Sequence, residues 1–170
     1  MTVEFSETRR RTACFTGHRD LPPEDGDLAL RVDAVIRDLY ARGVRFFGAG
    51  GARGFDALAS ARVLALRAEL PELRLILVLP FPEQYRQEGN WSEEELSQYE
   101  TLLERADKVV TLEPGYSAGV YMRRNRYLVD RSAYCVSFLQ RRNSGTGGTV
   151  RYARSRGLEC IDLAPWDFRL

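Results

Sequence analysis

Lysine and histidine are almost absent from this chain, which holds one of each, Lys108 and His18, in 170 residues. A single histidine removes the usual imidazole ligands of transition metals. The three cysteines, Cys14, Cys135 and Cys160, lie far apart in sequence and show no metal-ligand spacing. The sequence therefore predicts no metal site and no disulfide framework, and each cysteine sits in an apolar, strand-like run as a small buried hydrophobe. An excess of one charge is lacking too: 25 Lys and Arg against 24 Asp and Glu leave a formal net charge of +1. Bulk charge thus points to neither nucleic acid nor a membrane surface. With lysine scarce, arginine carries the positive charge, either as codon bias or as planar forks for bidentate phosphate contacts. No apolar run reaches the ~18 residues of a membrane span, and Met1 to Arg11 is charged and has no apolar h-region. These features predict a cytoplasmic protein with no membrane partner. The length suits one domain over residues 1–170, since a single core grows to roughly 250 residues.

Apolar periodicity then alternates between strand and helix patterns along the chain. Thr12 to Thr16 predicts a first strand, and Asp27 to Arg42 a helix with Leu28, Val32, Val35, Ile36 and Leu39 on one face and Gly43 closing it. Val44 to Phe47 reads as strand and Phe55 to Leu70 as helix, stopped by Pro71. Leu73 to Phe81 is nearly all apolar, as in a central strand buried on both faces. An acidic segment follows from Glu83 and turns helical after Ser92, which has Glu95 three residues on in a capping-box pattern. Lys108 to Leu112, Tyr134 to Leu139 and Leu158 to Leu163 complete the strands, with helices over Ala118 to Arg131 and Thr149 to Arg156. This order implies an α/β fold: a Rossmann-like three-layer αβα domain with a mostly parallel sheet of about six strands. No internal repeat and no low-complexity linker interrupts it.

Two glycine-rich runs stand between a predicted strand and a predicted helix. They are Gly48-Ala49-Gly50-Gly51-Ala52-Arg53-Gly54 and Ser144-Gly145-Thr146-Gly147-Gly148-Thr149. Such a loop lets a ligand approach the backbone, and the helix start presents unpaired N–H groups and a positive dipole end, which suits phosphate. Neither run is a standard nucleotide motif. The third glycine of a dinucleotide fingerprint begun at Gly48 would fall on Arg53, and no lysine lies near either loop to complete a P-loop. In an open parallel sheet, ligands bind outside the carboxyl ends of the strands. Thr16-Gly17-His18-Arg19, both glycine loops and Pro80 to Gln84 all follow strands, so all four segments converge on one crevice.

Four runs in this order, Thr16-Gly17-His18-Arg19, Gly50-Gly51-Ala52-Arg53-Gly54-Phe55-Asp56, Met122-Arg123-Arg124-Asn125-Arg126 and Gly145-Thr146-Gly147-Gly148-Thr149, resemble the SLOG superfamily. That superfamily joins the Smf/DprA DNA-processing proteins and the Lonely Guy phosphoribohydrolases on one Rossmann-like fold. The likeness covers nearly the whole chain and is greatest to small stand-alone members of unassigned activity. It implies that Arg53-Gly54-Phe55-Asp56 forms a ligand-facing turn. In Lonely Guy enzymes the terminal loop ends in a catalytic glutamate, and Tyr152 occupies that position here. An arginine of the preceding helix in those enzymes would be matched by Arg123, Arg124 or Arg126. A homodimer is implied by the resemblance alone.

The candidate ligand-binding set is therefore Thr16, Gly17, His18 and Arg19; Gly50, Gly51, Arg53, Gly54 and Asp56; Phe81 and Gln84; Arg123, Arg124, Asn125 and Arg126; and Ser144, Gly145, Thr146, Gly147, Gly148 and Thr149. Arg123, Arg124 and Arg126 cannot share one helical face. Trp91, with Tyr85, Phe81 and Tyr99, reads either as a base-stacking group or as packing for the irregular segment. Glu83, Glu88, Glu93, Glu94 and Glu95 read as a solvated acidic face.

Three functions compete. The first is a small-molecule nucleotide binder or sensor, with no required cofactor and the ligand phosphate on the glycine loops. The second is a nucleotide-processing hydrolase of the phosphoribohydrolase type, in which Asp56 or a carboxylate of Glu83 to Glu95 replaces the missing glutamate. The third is a single-stranded DNA binder using Arg123 to Arg131 with Arg141, Arg142, Arg151, Arg154 and Arg156; near-zero net charge ranks it last. The sequence does not decide whether a reaction is catalysed.

Overall fold

The computed structural model describes residues 4–22 and 26–164. The parts of the single-domain expectation that fall on 1–3, 23–25 and 165–170 lie outside them. Six strands, β1 (Thr12–Gly17), β2 (Phe46–Ala49), β3 (Arg74–Leu79), β4 (Lys108–Thr111), β5 (Tyr134–Phe138) and β6 (Glu159–Asp162), form one sheet in the order β4-β3-β2-β1-β5-β6. Every pairing is parallel. The expected fold class is what the chain adopts, with a fully parallel sheet.

The strand order explains where the helices lie. From β1 the chain steps outward through β2 and β3 to β4, and the linking helices α2 (Leu28–Ala41), α3 (Phe55–Leu66) and α5 (Glu93–Arg105) stack together on one face. It then crosses back, and α6 (Val120–Asp130) and α7 (Gly145–Ser155) cover the other face, as right-handed crossovers in opposite directions require. Two short helices, α1 (Glu7–Arg10) and α4 (Gln84–Glu88), are too brief to show a periodicity in the sequence.

The sheet separates two cores. Phe15, Ile36, Phe47, Phe55, Leu75, Leu77 and Phe138 pack under α2, α3 and α5, whereas Cys14, Val78, Leu128, Val129, Cys135 and Ala153 pack under α6 and α7. β3 contributes to both, which accounts for its unbroken apolar run. The reversal of strand order falls between β1 and β5, so their carboxyl ends open onto a cleft.

Candidate functional site

The cleft at this reversal has a volume of about 410 Å³. Its floor is the end of β1, Phe15 to Asp20. One wall is the turn before α3, with Ala52, Arg53 and Asp56; another is α6, with Tyr121, Arg124 and Asn125. Arg141 and the start of α7, Ser144 to Thr146, close it.

The second glycine run is not a loop that ends at Thr149. Its glycines form the first turn of α7, which begins at Gly145 with Ser144 as N-cap. The Ser144 hydroxyl accepts from the Gly147 amide at 3.1 Å, and the Ser144 carbonyl accepts from Gly148 at 3.0 Å. Helix geometry turns the Gly145 and Thr146 N–H groups outward toward the cleft, at the positive end of the dipole. Gly147 cannot carry a side chain, because a Cβ there would lie 2.0 Å from the Arg142 carbonyl oxygen. Gly148 faces Met122 on α6, and the Thr149 hydroxyl donates to the Gly145 carbonyl within the helix. Among the glycine-run residues, therefore, Ser144, Gly145 and Thr146 line the cleft.

The first glycine run is held from behind by buried charge. Asp56 is 6 % exposed and Arg124 4 %. The Asp56 carboxylate accepts from the Gly50 amide at 3.1 Å, and the Arg124 guanidinium donates to the Gly50 carbonyl, so the two hold the peptides on either side of one residue. Gln84 is wholly buried and donates from Nε2 to the carbonyls of Gly50 and Gly51 at 3.2 and 3.1 Å. Burial pushes the Asp56 carboxyl up, opposed by Arg124 and by the amides of Ala52 and Gly50. Burial likewise pushes Arg124 down, opposed by Asp56. An arginine keeps its proton in proteins, so a charged pair is the state that satisfies both groups. Gly54 has φ +79°, and a Cβ on it would meet the Arg19 carbonyl oxygen at 2.2 Å. Only glycine permits this approach of the α3 turn to the end of β1, which the Phe55 amide reinforces with a 3.1 Å bond to the His18 carbonyl.

His18 joins two strand ends. Its Nε2 accepts from the amides of Gln140, at 2.9 Å, and Arg141, at 3.3 Å. An imidazole that accepts through Nε2 is neutral and carries its proton on Nδ1. Burial, then the nearby Arg141, lowers its pKa below the ordinary value. Arg19 reaches Glu88 at 3.0 Å and lies over the Tyr121 ring, while Arg53 crosses the mouth to Asp20 at 2.7 Å.

Several expected ligand contacts are placed elsewhere. Gly50, Gly51 and Gln84 lie behind the wall; Phe81 is buried against Tyr116 and Tyr121. Arg123 bonds Ser117 and Glu113 outside the cleft, and Arg126 lies over Tyr152. Glu88 corrects the reading of a solvated acidic face: its side chain is 10 % exposed, pairs with Arg19 and accepts from the Trp91 indole at 2.6 Å. Trp91, Tyr85 and Tyr99 pack on one another with ring centroids 5.4–6.0 Å apart, which is the packing reading of that cluster. Tyr152, at the position of the missing glutamate, donates to Asp130 at 2.6 Å and does not line the cleft. Tyr121 and Asp20 escaped notice in the sequence, although Tyr121 stands three residues before Arg124 and so on the same helical face.

Comparison with known proteins gives this architecture relatives. The model of the YspA SLOG family matches residues 29–156. An uncharacterized SPbeta prophage-derived protein, YoqJ, of Bacillus subtilis is 30 % identical over 134 residues, covering 71 % of this chain and 77 % of that protein. The UPF0398 protein YpsA of the same organism is 30 % identical over 92 residues, covering 53 % of this chain and 49 % of that one. Among solved structures, DNA processing protein A (DprA) of Streptococcus pneumoniae shares the fold with TM-score 0.61 at 16 % identity, over 89 % of this chain and 49 % of that one. DNA processing protein A of Helicobacter pylori, described for its single-stranded DNA binding mode, does so with TM-score 0.64 at 16 % identity, over 91 % of this chain and 65 % of that one.

Proposed function

We propose, for a chain that belongs to the YspA SLOG family, that the cleft between β1 and β5 binds a small phosphorylated ligand of the nucleotide class. The observation that carries this reading is the meeting of the open first turn of α7 with Arg19, Arg53 and Arg141 around one cleft. The ligand phosphate would accept from the Gly145 and Thr146 amides, where the dipole and free N–H groups act together. Tyr121 offers a ring face for a base, and Asn125 and Asp20 offer polar groups for a ribose. A volume of about 410 Å³ lies within the usual range of small-molecule pockets.

Asp56 does not favour the hydrolase reading, because its carboxylate, although in the cleft wall, is only 6 % exposed and already accepts from the Gly50 amide. The binding reading is tested by thermal unfolding against mononucleotides, dinucleotides, cyclic nucleotides and inorganic phosphate. A ligand at a hundred times its Kd raises the midpoint by about 5–10 °C for a chain of this length. The expected result is a shift with a phosphorylated nucleoside and none with the free nucleoside. A flat response to the whole panel removes the proposal.

A further inference from the structure

The three cysteines, scattered in the sequence, form a row across the sheet. Cys14 on β1 is opposite Cys135 on β5, and Cys135 is opposite Cys160 on β6. Partners in register on neighbouring parallel strands project to the same face, here the face under α7. Strands in a sheet lie about 4.8 Å apart, within the Cα separation of about 4.4–6.8 Å that a disulfide spans.

The two ends of the row differ. Cys14 and Cys135 lie on adjacent interior strands and are buried at 1 % and 0 % exposure. Among the described residues β6 is an edge strand, and Cys160 on it is half-buried, so it has both access and freedom to close a short gap. We propose that Cys160 is a site of reversible thiol oxidation, with Cys135 as its resolving partner and a hydroperoxide as the oxidant class. The Cys160 thiolate attacks one peroxide oxygen. An S–O bond forms, the O–O bond breaks, and the remaining oxygen leaves as alcohol or water after taking a proton. The Cys135 thiol then attacks the sulfenic sulfur; the S–S bond forms, the S–O bond breaks, and the hydroxyl leaves as water with the Cys135 proton. Two electrons pass from the sulfurs to the peroxide.

The local chemistry assigns the roles in this order. The neighbouring Cys135 and the charge of Arg154 outweigh burial and pull Cys160 down to about 7, so a share of it is thiolate near neutral pH. Contacts with both neighbouring thiols and burial push Cys135 well up, so it keeps its proton until it resolves the sulfenic acid.

The folded full chain should be treated with a few equivalents of hydrogen peroxide and mapped without reduction. Trypsin separates the thiols onto residues 12–19, 132–141 and 157–169. The expected product has lost two hydrogen masses, links 132–141 to 157–169, and reverts with dithiothreitol. Cys160→Ala should leave Cys14 and Cys135 reduced, Cys14→Ala should keep the link, and Cys135→Ala should stop at a sulfenic acid on Cys160 that a cyclic diketone traps. Three thiols left reduced, a link between Cys14 and Cys135, or oxidation of Cys160 to sulfinic acid with no link would overturn the proposal. Near-ultraviolet circular dichroism establishes that each variant is folded, and Cys160→Ala, at a half-exposed edge, provides the test least dependent on packing.

Discussion

At the residue scale, His18 shows how a sequence signal survives while its meaning changes. Its place at a strand end marked it as important, yet its Nε2 is occupied by two backbone amides, a pairing between residues more than a hundred positions apart that no local pattern reveals. Because its folded pKa lies below the unfolded value of 6.5, the unfolded chain takes up a proton that the folded one refuses. Stability contributed by neutral His18 is therefore full above the unfolded pKa and is lost as pH falls through the folded pKa. His18→Gln keeps an acceptor near Nε2 without titrating. Urea unfolding at pH 7.5 and pH 5 should show the wild type losing more stability than the variant over that interval; parallel losses would refute the assignment. Asp56 and Arg124 carry the second prediction. The sequence marked each as a ligand candidate but not their joint hold on the N–H and C=O of Gly50, which needs the tertiary approach of α6 to the β2 turn. Removing one charge strands the other in the interior, at a cost of about 3–5 kcal/mol. Asp56→Asn and Arg124→Met should each lower the urea midpoint strongly, and the double variant by less than the sum. Strict additivity in the double-mutant cycle would contradict the clamp.

At the element scale, α7 is where propensity misled. Glycine disfavours helix interiors, so the expected start fell at Thr149, four residues late. Tertiary packing overrides that preference: the close approach of Gly147 to the Arg142 carbonyl and the Ser144 cap together make a glycine-rich helical turn the arrangement that fits. The two glycines at this turn then predict opposite outcomes. A Cβ at Gly145 meets nothing within 4 Å, whereas one at Gly147 is 2.0 Å from a backbone oxygen that has no side-chain freedom to yield. Gly145→Ala should leave the unfolding midpoint within a degree or two of wild type, corresponding to a change of about 0.5 kcal/mol or less. Gly147→Ala should lose about 1–3 kcal/mol, as overpacking of a rigid contact does. Equal midpoints for the two variants would show that α7 starts elsewhere. The strongly periodic elements were read correctly in kind because their signals are local: α2 from its apolar stripe and α5 from its capping box, in which Ser92 and Glu95 satisfy each other's amides. α4 is too short to carry a period, so the burial of Gln84 and Glu88 was invisible.

At the scale of the whole molecule, the parallel sheet followed from the alternation of strands and helices, and the switch point followed from the sheet. What the sequence did not reveal is how the arginines are spent. Outside the cleft several are matched by carboxylates: Arg37 with Glu69, Arg42 with Asp38 and Glu159, Arg62 with Asp33, Arg67 with Asp107, Arg123 with Glu113 and Arg156 with Asp130. Such pairs add little stability singly, and of the arginines a nucleic-acid strand would use they engage Arg123 and Arg156. The two remaining binding readings are separated by salt. A protein that neutralises Z phosphates of a single strand loses affinity with a slope of about −0.7Z in log salt. A cleft that seats one or two phosphates predicts a loss of under about tenfold for oligothymidylate between 50 and 200 mM salt, whereas six contacts along a strand predict a loss of about three hundredfold. Fluorescence anisotropy at four salt concentrations distinguishes these, and a mononucleotide that binds the cleft should displace the oligonucleotide in the same assay. A steep slope without displacement would move the binding surface off the cleft and onto the arginines of α6 and α7.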